Sequence, residues 1–248
     1  MEIILNYFSS YEIYLIILFA IFVGATAQSS VGIGFGIPGC IIILTDPSMI
    51  PISIVLMGTF LAFSNALLNL KDILLKDLIY SLSGRVIGTF LSVPLIALTI
   101  GTNSFLIIFG IVLLITIPLS ALKWNLKANK KNIVIAGTCS GFMGTLTGVG
   151  GPPMGIVYQN SESRNVVATL NMFFGLGALF SVIVLANMNL LNTTIAIKCL
   201  FLAPGLVMGI VFGRLEIVKK FVKIKFKLLI LAVCVVSSLL VLLLAFTS

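Results

Sequence analysis

A glycine- and proline-rich break, Gly32-Ile33-Gly34-Phe35-Gly36-Ile37-Pro38-Gly39, interrupts a hydrophobic region that extends over residues 13–44. A second break, Gly148-Val149-Gly150-Gly151-Pro152-Pro153-Met154-Gly155, interrupts the hydrophobic region 133–159. Each region is longer than the about 20 residues that one membrane-crossing helix needs. Because glycine and proline disfavour a continuous helix, each region is predicted to form two shorter helices that fold back about halfway through the lipid.

The two breaks occupy equivalent places in two halves of the chain. At an offset of 116 residues, the matching glycines of the breaks are Gly32 and Gly148, Gly34 and Gly150, and Gly39 and Gly155. At an offset of 121 residues, Gly84 and Gly88 match Gly205 and Gly209. The sequence therefore predicts two repeats, at about residues 1–122 and 132–248, joined by a basic loop at 123–131.

The composition places nearly the whole chain in a membrane. Only 9% of the 248 residues are charged and 60% are hydrophobic, and the mean hydropathy is +1.25. A soluble domain has about 25% charged residues, so lipid must cover much of this exterior. We expect a single membrane domain over residues 1–248. The net charge of +8 comes from basic residues between apolar spans, which the positive-inside rule explains without a nucleic-acid partner.

The remaining hydrophobic segments predict six continuous spans. They cover residues 50–70, 78–100, 104–122, 165–186, 193–213 and 227–245. Together with the two interrupted regions, they make about eight hydrophobic helical segments.

The basic residues predict the orientation. Most of them fall in three connecting regions, at 71–76, 123–131 and 214–227, whereas the stretches 1–12, 45–49, 101–103, 187–192 and 246–248 contain no Lys or Arg. If each interrupted region returns to its own side, every basic loop lies on one side, which is the inside of the cell membrane. If each region crossed once, the loop 214–227 would lie opposite 123–131. The charge pattern therefore favours re-entrant hairpins, with both termini outside.

These expectations combine into an all-α polytopic membrane protein with two inverted repeats. Each repeat has one broken, re-entrant helix hairpin followed by three transmembrane helices. Three crossings is an odd number, so the second repeat is inverted relative to the first. Inverted repeats with broken helices near the bilayer midplane are typical of secondary transporters.

The two breaks are also the predicted substrate site. The helix that resumes after a break points its N-terminus at the bend, and this end attracts an anion. The candidate residues are the glycines Gly32, Gly34, Gly36, Gly148, Gly150 and Gly151, with the polar side chains of Gln28, Ser29, Ser30, Thr145 and Thr147. The alternative interpretation is that these glycines only permit close helix packing, as small residues do in membranes.

Four further polar residues lie within apolar spans and are candidates for the same site. Asn65 and Asn171 either line a cavity or bond to a neighbouring helix, because a buried amide needs partners. Arg85 and Lys198 either face a substrate path or extend to the nearer membrane surface. No Asp or Glu lies deep in a span, so a carboxylate proton relay through the midplane is not expected.

The paired breaks, with Gly58-Thr59 and Ala168-Thr169 after them, resemble the TauE/SafE family of sulfite exporters over nearly the whole chain. This resemblance implies a membrane transporter that moves sulfite, sulfoacetate and other sulfur-containing organic anions. The second break resembles the family pattern more closely, since Phe35 and Gly36 replace a third consecutive glycine in the first. This difference leaves open whether both hairpins bind substrate equally.

The function that the sequence favours is a secondary transporter of small anions, with the anion and the lipid bilayer as its partners. The chain has no G-x-x-x-x-G-K-[ST] nucleotide motif, so no cofactor is expected. It also has no His, and its four cysteines lack metal-site spacing, so neither an enzyme nor a metal site is expected. An anion channel or a membrane-embedded assembly or enzyme subunit remains the alternative, and the oligomeric state stays open.

Overall fold

The computed structural model describes residues 2–121, 126–159 and 164–247. Within these ranges the chain forms helices and no strand, which confirms the predicted all-α class. Part of the expected basic loop 123–131, together with Met1 and Ser248, lies outside the described residues.

In its described part, the first half contains six α-helices. They are α1 (Glu2–Leu5), α2 (Tyr11–Val31), α3 (Ile37–Thr45), α4 (Ile52–Ala66), α5 (Leu75–Thr99) and α6 (Asn103–Ala121). Short 3-10 helices, Pro47–Met49 and Leu67–Asp72, precede and follow α4. The second half contains α7 (Lys130–Thr147), α8 (Gly151–Tyr158), α9 (Arg164–Asn187), α10 (Thr193–Gly213) and α11 (Glu216–Thr247).

The helices are those of a multi-pass membrane protein. In the described ranges, five are long and apolar enough to cross a bilayer: α2, α4 with the 3-10 helix after it, α5, α9 and α10. Large apolar side chains on their outer faces are exposed, as a lipid-facing surface requires; Leu98 is 81% exposed and Leu200 is 73% exposed. The predicted span 193–213 coincides with α10, and those at 165–186 and 104–122 differ from α9 and α6 by one residue at each end.

The last helix begins earlier than expected. Residues 214–227 were predicted to form a basic loop, but α11 starts at Glu216. Lys219 Nζ lies 2.7 Å from the Glu216 carboxylate one turn away. An acidic residue in the first turn and an ion pair of this spacing both favour helix, so the basic stretch is mostly helical.

Both breaks begin at the predicted glycines. Gly32 has φ +81° and its N–H donates to the Gln28 carbonyl, while Gly148 has φ +77° and its N–H donates to the Gly144 carbonyl. A left-handed residue after the last turn ends a helix, and glycine adopts this conformation without steric cost. The helices α3 and α8 then start with proline in their first turn, where the missing N–H costs no hydrogen bond.

The chain folds back at each break. A Cβ built on Gly24 would lie 2.6 Å from Pro38 Cδ, and Ser140 Oγ donates to the Gly150 carbonyl at 2.6 Å. In a straight helix these pairs would be about 21 Å and about 15 Å apart. Each interrupted region is therefore a helix hairpin.

The first hairpin was predicted to turn back about halfway through the lipid, but its first helix is long enough to cross the whole hydrocarbon core. The helix α2 has 21 residues, which is about 31 Å and matches a hydrocarbon core of about 30 Å. It lies beside α10 along its length: a Cβ on Gly205 would lie 2.7 Å from the Leu18 carbonyl oxygen, and Ser30 Oγ donates to the Gly213 carbonyl at 2.9 Å. Only the return helix α3, of nine residues, is short.

The first hairpin returns to the end at which it started. Asp46 follows α3 and forms an ion pair with Lys198, near the start of α10. Tyr14, near the start of α2, donates its hydroxyl to the Phe201 carbonyl at 3.3 Å. Both ends of this hairpin therefore lie beside the first turns of α10.

The second hairpin behaves in the same way beside α5. Tyr158, the last residue of α8, donates its hydroxyl to Asp77 Oδ2 at 2.8 Å. Lys130, the first residue of α7, places its Nζ 5.1 Å from the centre of the Tyr80 ring. Both ends of the hairpin thus lie beside the first turns of α5.

Equivalent helices pack in equivalent ways in the two halves. The hairpin helix α7 packs against α5 and α2 packs against α10, while α4 pairs with α9 and α6 pairs with α11. Gly88 lies against the Thr138 carbonyl and Gly209 lies against the Phe22 carbonyl. These contacts preserve both sequence offsets. The two repeats and their inversion across the bilayer stay predictions.

Candidate substrate site

A cavity of about 700 Å³ lies between the two breaks. Its wall includes eight of the predicted site residues: Gln28, Ser30, Gly34, Gly36, Arg85, Gly148, Gly150 and Gly151. Most of the other lining residues are apolar. The cavity is of the size that small-molecule sites usually have.

The two breaks touch each other at this cavity. The Ile33 side chain fills the space beside Gly151, where a Cβ would collide with it. In the opposite direction, a Cβ on Gly36 would lie 2.9 Å from Val149 Cγ1. Each break therefore presses an apolar side chain onto a glycine at the start of the other return helix, and the two hairpins form the cavity together.

Arg85 is the charged residue deepest in the wall. It projects from α5 and is 3% exposed. Its Nη1 donates to the Ser140 carbonyl at 2.8 Å and contacts Ser140 Oγ at 3.3 Å, and its Nη2 contacts Ser181 Oγ at 3.5 Å. Among the described residues, its Nε has no hydrogen-bond partner. The guanidinium thus keeps donor capacity that the protein does not use.

Three glycines make the space that the guanidinium occupies. A Cβ on Gly144 would lie 2.7 Å from Nη1, one on Gly150 would lie 3.0 Å from Nη1, and one on Gly177 would lie 2.8 Å from Nε. The Phe173 ring closes another side, with its centre 5.7 Å from Arg85 Cζ. The guanidinium is therefore held in one place beside the second break.

The buried guanidinium has no carboxylate partner in the described part of the chain. The ion pairs found there join Arg164 to Asp72, Lys198 to Asp46, and Lys219 to Glu216. A buried cation without a counter-ion is costly, and intramembrane cations usually mark a substrate path. A guanidinium also matches the planar geometry of a carboxylate or oxyanion better than an ammonium does. Among the described residues, the Arg85 charge is therefore left without a counter-charge.

The second break offers a restricted set of backbone donors. Pro152 and Pro153 occupy the first turn of α8 and have no N–H. The N–H groups that this helix end can present are therefore those of Gly150 and Gly151. Both glycines line the cavity, next to the guanidinium.

The cavity reaches the surface near the end of α10 and the start of α11. Glu216, Lys219 and Lys220 line this mouth, and Glu216 and Lys220 are exposed. The hydrogen bond from Lys219 lowers the pKa of Glu216, so this carboxylate stays ionised. The mouth has a net positive charge, which attracts anions.

A sequence model of the sulfite exporter TauE/SafE family matches residues 16–241. The chain belongs to the TauE/SafE sulfite exporter family. Neither the curated proteins nor the solved structures contain a match to it. Membership makes it a multi-pass membrane protein of a family that exports sulfite and related anions.

Several predicted site residues of this TauE/SafE protein do not line the cavity. Asn65 Nδ2 donates to Ser29 Oγ at 3.0 Å, so both side chains join α4 to α2. Asn171 Nδ2 donates to the Val167 carbonyl of its own helix at 2.9 Å. Asn65 therefore bonds to a neighbouring helix, which is one of the two alternatives that the sequence left open, whereas Asn171 bonds to its own helix and fits neither.

The two predicted threonines, Thr145 and Thr147, form hydrogen bonds within the protein. Thr145 Oγ1 lies 2.8 Å from Ser181 Oγ and 3.1 Å from Thr89 Oγ1, in a fully buried hydroxyl cluster. Thr147 Oγ1 accepts from the Val149 N–H at 3.1 Å and so stabilises the bend. Gly32 caps α2. None of these three lines the cavity.

Lys198 lies away from the cavity and pairs with Asp46. The two alternatives were a cavity position and a side chain extended to the surface, and the structure has neither, because Lys198 is only 8% exposed. The sequence did not indicate this pair because Asp46 lies in a connecting segment, far from Lys198 in the chain.

Ser140, Ser181 and Gly177 contact the Arg85 guanidinium of this TauE/SafE protein, and none of the three was a predicted site residue. The two serines lie in apolar helices, and a polar residue in an apolar span was the available signal. Serine is common in membrane helices, however, because it can satisfy itself on its own backbone, as Ser181 does with the Gly177 carbonyl at 3.0 Å. The signal was therefore weak.

Proposed function

We infer that this TauE/SafE protein is a secondary transporter of small oxyanions, namely sulfite or sulfur-containing organic anions. The observation that carries this proposal is Arg85, on the wall of a cavity between two broken helices, a buried cation that no carboxylate of the described residues pairs with. The cavity supplies the space, the breaks supply backbone donors and the guanidinium supplies the charge that an oxyanion needs.

The bound anion lies between the two hairpins. On one side it meets Arg85 and the N–H groups of Gly150 and Gly151, and on the other it meets the side-chain amide of Gln28. Charge-assisted hydrogen bonds of this type are stronger than neutral ones. In the dry surroundings of a membrane protein their strength increases further.

Transport requires no ATP in this proposal. The membrane potential, negative inside, contributes about 2.3 kcal/mol per charge per 100 mV to the export of an anion. Because α3 and α8 are short and begin at the cavity, small displacements of either hairpin would open or close the site to one side. Alternating exposure of this kind is typical of carriers built from repeats with broken helices.

Uptake of labelled sulfite into proteoliposomes tests the proposal. A carrier gives saturable flux that is accelerated by sulfite on the opposite side, whereas a channel gives a current that rises linearly with voltage, and an enzyme changes the compound. We expect saturable exchange by the natural chain, and about tenfold or more slower exchange by Arg85→Met, because hydrogen bonds to charged groups are lost.

Leu206→Met is the matched control, since Leu206 occupies the position in the second repeat that Arg85 occupies in the first. It should transport like the natural chain. Linear current, chemical conversion, or unchanged exchange by Arg85→Met would each contradict the proposed function.

A further inference from the structure

The two hairpins each end their first helix at a left-handed glycine and then fold back, but they differ in chemistry beside their breaks. The offset of 121 residues, which the Gly88 and Gly209 contacts preserve, places Leu206 where Arg85 stands. The offset of 116 residues places Gly24 where Ser140 stands. The second hairpin thus faces a guanidinium and carries a hydroxyl, and the first has neither at these positions.

Ser140 connects the guanidinium to the second break. Its hydroxyl donates to the Gly150 carbonyl at 2.6 Å and lies 3.3 Å from Arg85 Nη1, and its own carbonyl accepts from Nη1 at 2.8 Å. Ser140 is 0% exposed. The Ser140 side chain therefore contacts both the charge and the residue that precedes α8, while the Ser140 backbone carbonyl accepts the shorter bond from Nη1.

The equivalent space beside the first break is filled by apolar atoms. A Cβ on Gly24 would lie 2.6 Å from Pro38 Cδ and 3.4 Å from Phe35 Cδ2, so these two side chains occupy the place of the serine. Leu206 is buried at 6% exposure and brings no charge. Gln28, the counterpart of Gly144, contributes a neutral amide to the cavity wall.

We propose that the anion binds at the second break alone, and that Ser140 is a positioning residue that holds Arg85 there. This proposal rests on the proposed function and adds the place and number of the anions. Because Arg85 is fixed before the anion arrives, binding does not have to order a long flexible side chain, which favours affinity. The first hairpin then encloses the anion and adds a neutral amide from Gln28 but no positive charge, and each chain carries one anion at a time.

A double-mutant cycle on Arg85 and Ser140 tests the positioning role. Sulfite exchange is measured in proteoliposomes for Ser140→Ala, Arg85→Met and the double variant. We expect Ser140→Ala to raise the KM about threefold to tenfold, the effect of one hydrogen bond, with little change in maximal rate. In the Arg85→Met background the same substitution should raise the KM much less, because only the bond from Ser140 to the Gly150 carbonyl is then lost.

Two further variants separate this role from a general loss of structure. Ser140→Cys keeps the volume with a weaker hydrogen-bonding group, so its KM should lie between those of the natural chain and Ser140→Ala. Ser53→Ala removes another fully buried hydroxyl, which has no partner in the described part of the chain, and should leave the KM unchanged.

Sulfite binding to the purified chain in lipid nanodiscs tests the number of anions. Calorimetry should give one sulfite per chain. Two sulfites per chain, an unchanged KM for Ser140→Ala, or an equal effect of Ser140→Ala with and without Arg85 would overturn this inference while leaving the transporter intact. Absence of sulfite exchange by the natural chain would instead overturn the proposed function.

Discussion

Lys198 and Asp46 form an ion pair that ties α10 to the end of the first hairpin. The two side chains are 10% and 14% exposed, and Lys198 Nζ lies 5.7 Å from the centre of the Phe8 ring. The pair therefore joins three segments of the chain at the end of the molecule opposite the cavity mouth. The pair holds the end of the first hairpin beside the start of α10.

Asp46→Asn should destabilise the protein by about 3–5 kcal/mol, because removing one partner leaves the other charge buried and unpaired. The midpoint of thermal unfolding in detergent measures this effect. The double variant Asp46→Leu with Lys198→Met removes both charges and should recover most of the loss.

The exposed pair of Arg164 with Asp72 provides a control, since the Arg164 side chain is 74% exposed. Exposed pairs contribute about 0–1 kcal/mol, so Asp72→Asn should shift the midpoint little. Equal shifts for Asp46→Asn and Asp72→Asn would show that the Lys198 pair is not a buried constraint.

Gly144→Ala should impair transport by displacing Arg85. The new Cβ would lie 2.7 Å from Nη1, too close for the guanidinium to remain in place. We expect a higher KM for sulfite together with lower thermal stability. Adding Arg85→Met should restore stability but not transport, and a normal KM in Gly144→Ala would show that the position of the guanidinium is not critical.

Gly88→Ala and Gly209→Ala should both destabilise the fold severely, because each Cβ meets the backbone of a hairpin helix. Overpacking usually costs about 1–3 kcal/mol, and a clash with backbone atoms is harder to relieve. Gly58→Ala is the control, since its Cβ would lie 3.4 Å from Phe35, an ordinary contact. If only one of the two glycines resisted substitution, the equivalence of the repeats would be wrong.

The orientation is tested by the accessibility of single cysteines in a variant whose four natural cysteines are replaced. A membrane-impermeant thiol reagent should label Lys220→Cys and Val31→Cys, at the cavity, from the inside. It should label Ser48→Cys, which is exposed beside Asp46, from the outside. Labelling of Lys220→Cys and Ser48→Cys from the same side would contradict the predicted topology.

The sequence predicted the breaks well because glycine and proline act locally. Gly32 and Gly148 end their helices where the pattern placed the bends, and the offset between repeats reappears in the packing of Gly88 and Gly209. The length of the first hairpin arm was not predictable in the same way, because α2 is stabilised along its whole length by α10, a helix of the other repeat.

The candidate site was predicted only in part. Depth in a span can be read from the sequence, and this identified Arg85 and Lys198 alike. The direction in which each side chain points depends on tertiary contacts. The space for the Arg85 side chain forms only in the folded chain, where Gly144, Gly150 and Gly177 come together. Lys198 instead meets Asp46, which no local pattern connects to it.

The most direct measurement of the central claim is the thermal unfolding of the natural chain and Arg85→Met at increasing sulfite concentration, with chloride at equal ionic strength as the reference. A ligand that binds only the folded state stabilises it by about 2.7 kcal/mol at one hundred times its Kd. The unfolding midpoint of the natural chain should therefore rise with sulfite, while that of Arg85→Met should stay constant. An equal rise in both proteins would contradict the assignment of Arg85 as the anion's counter-charge.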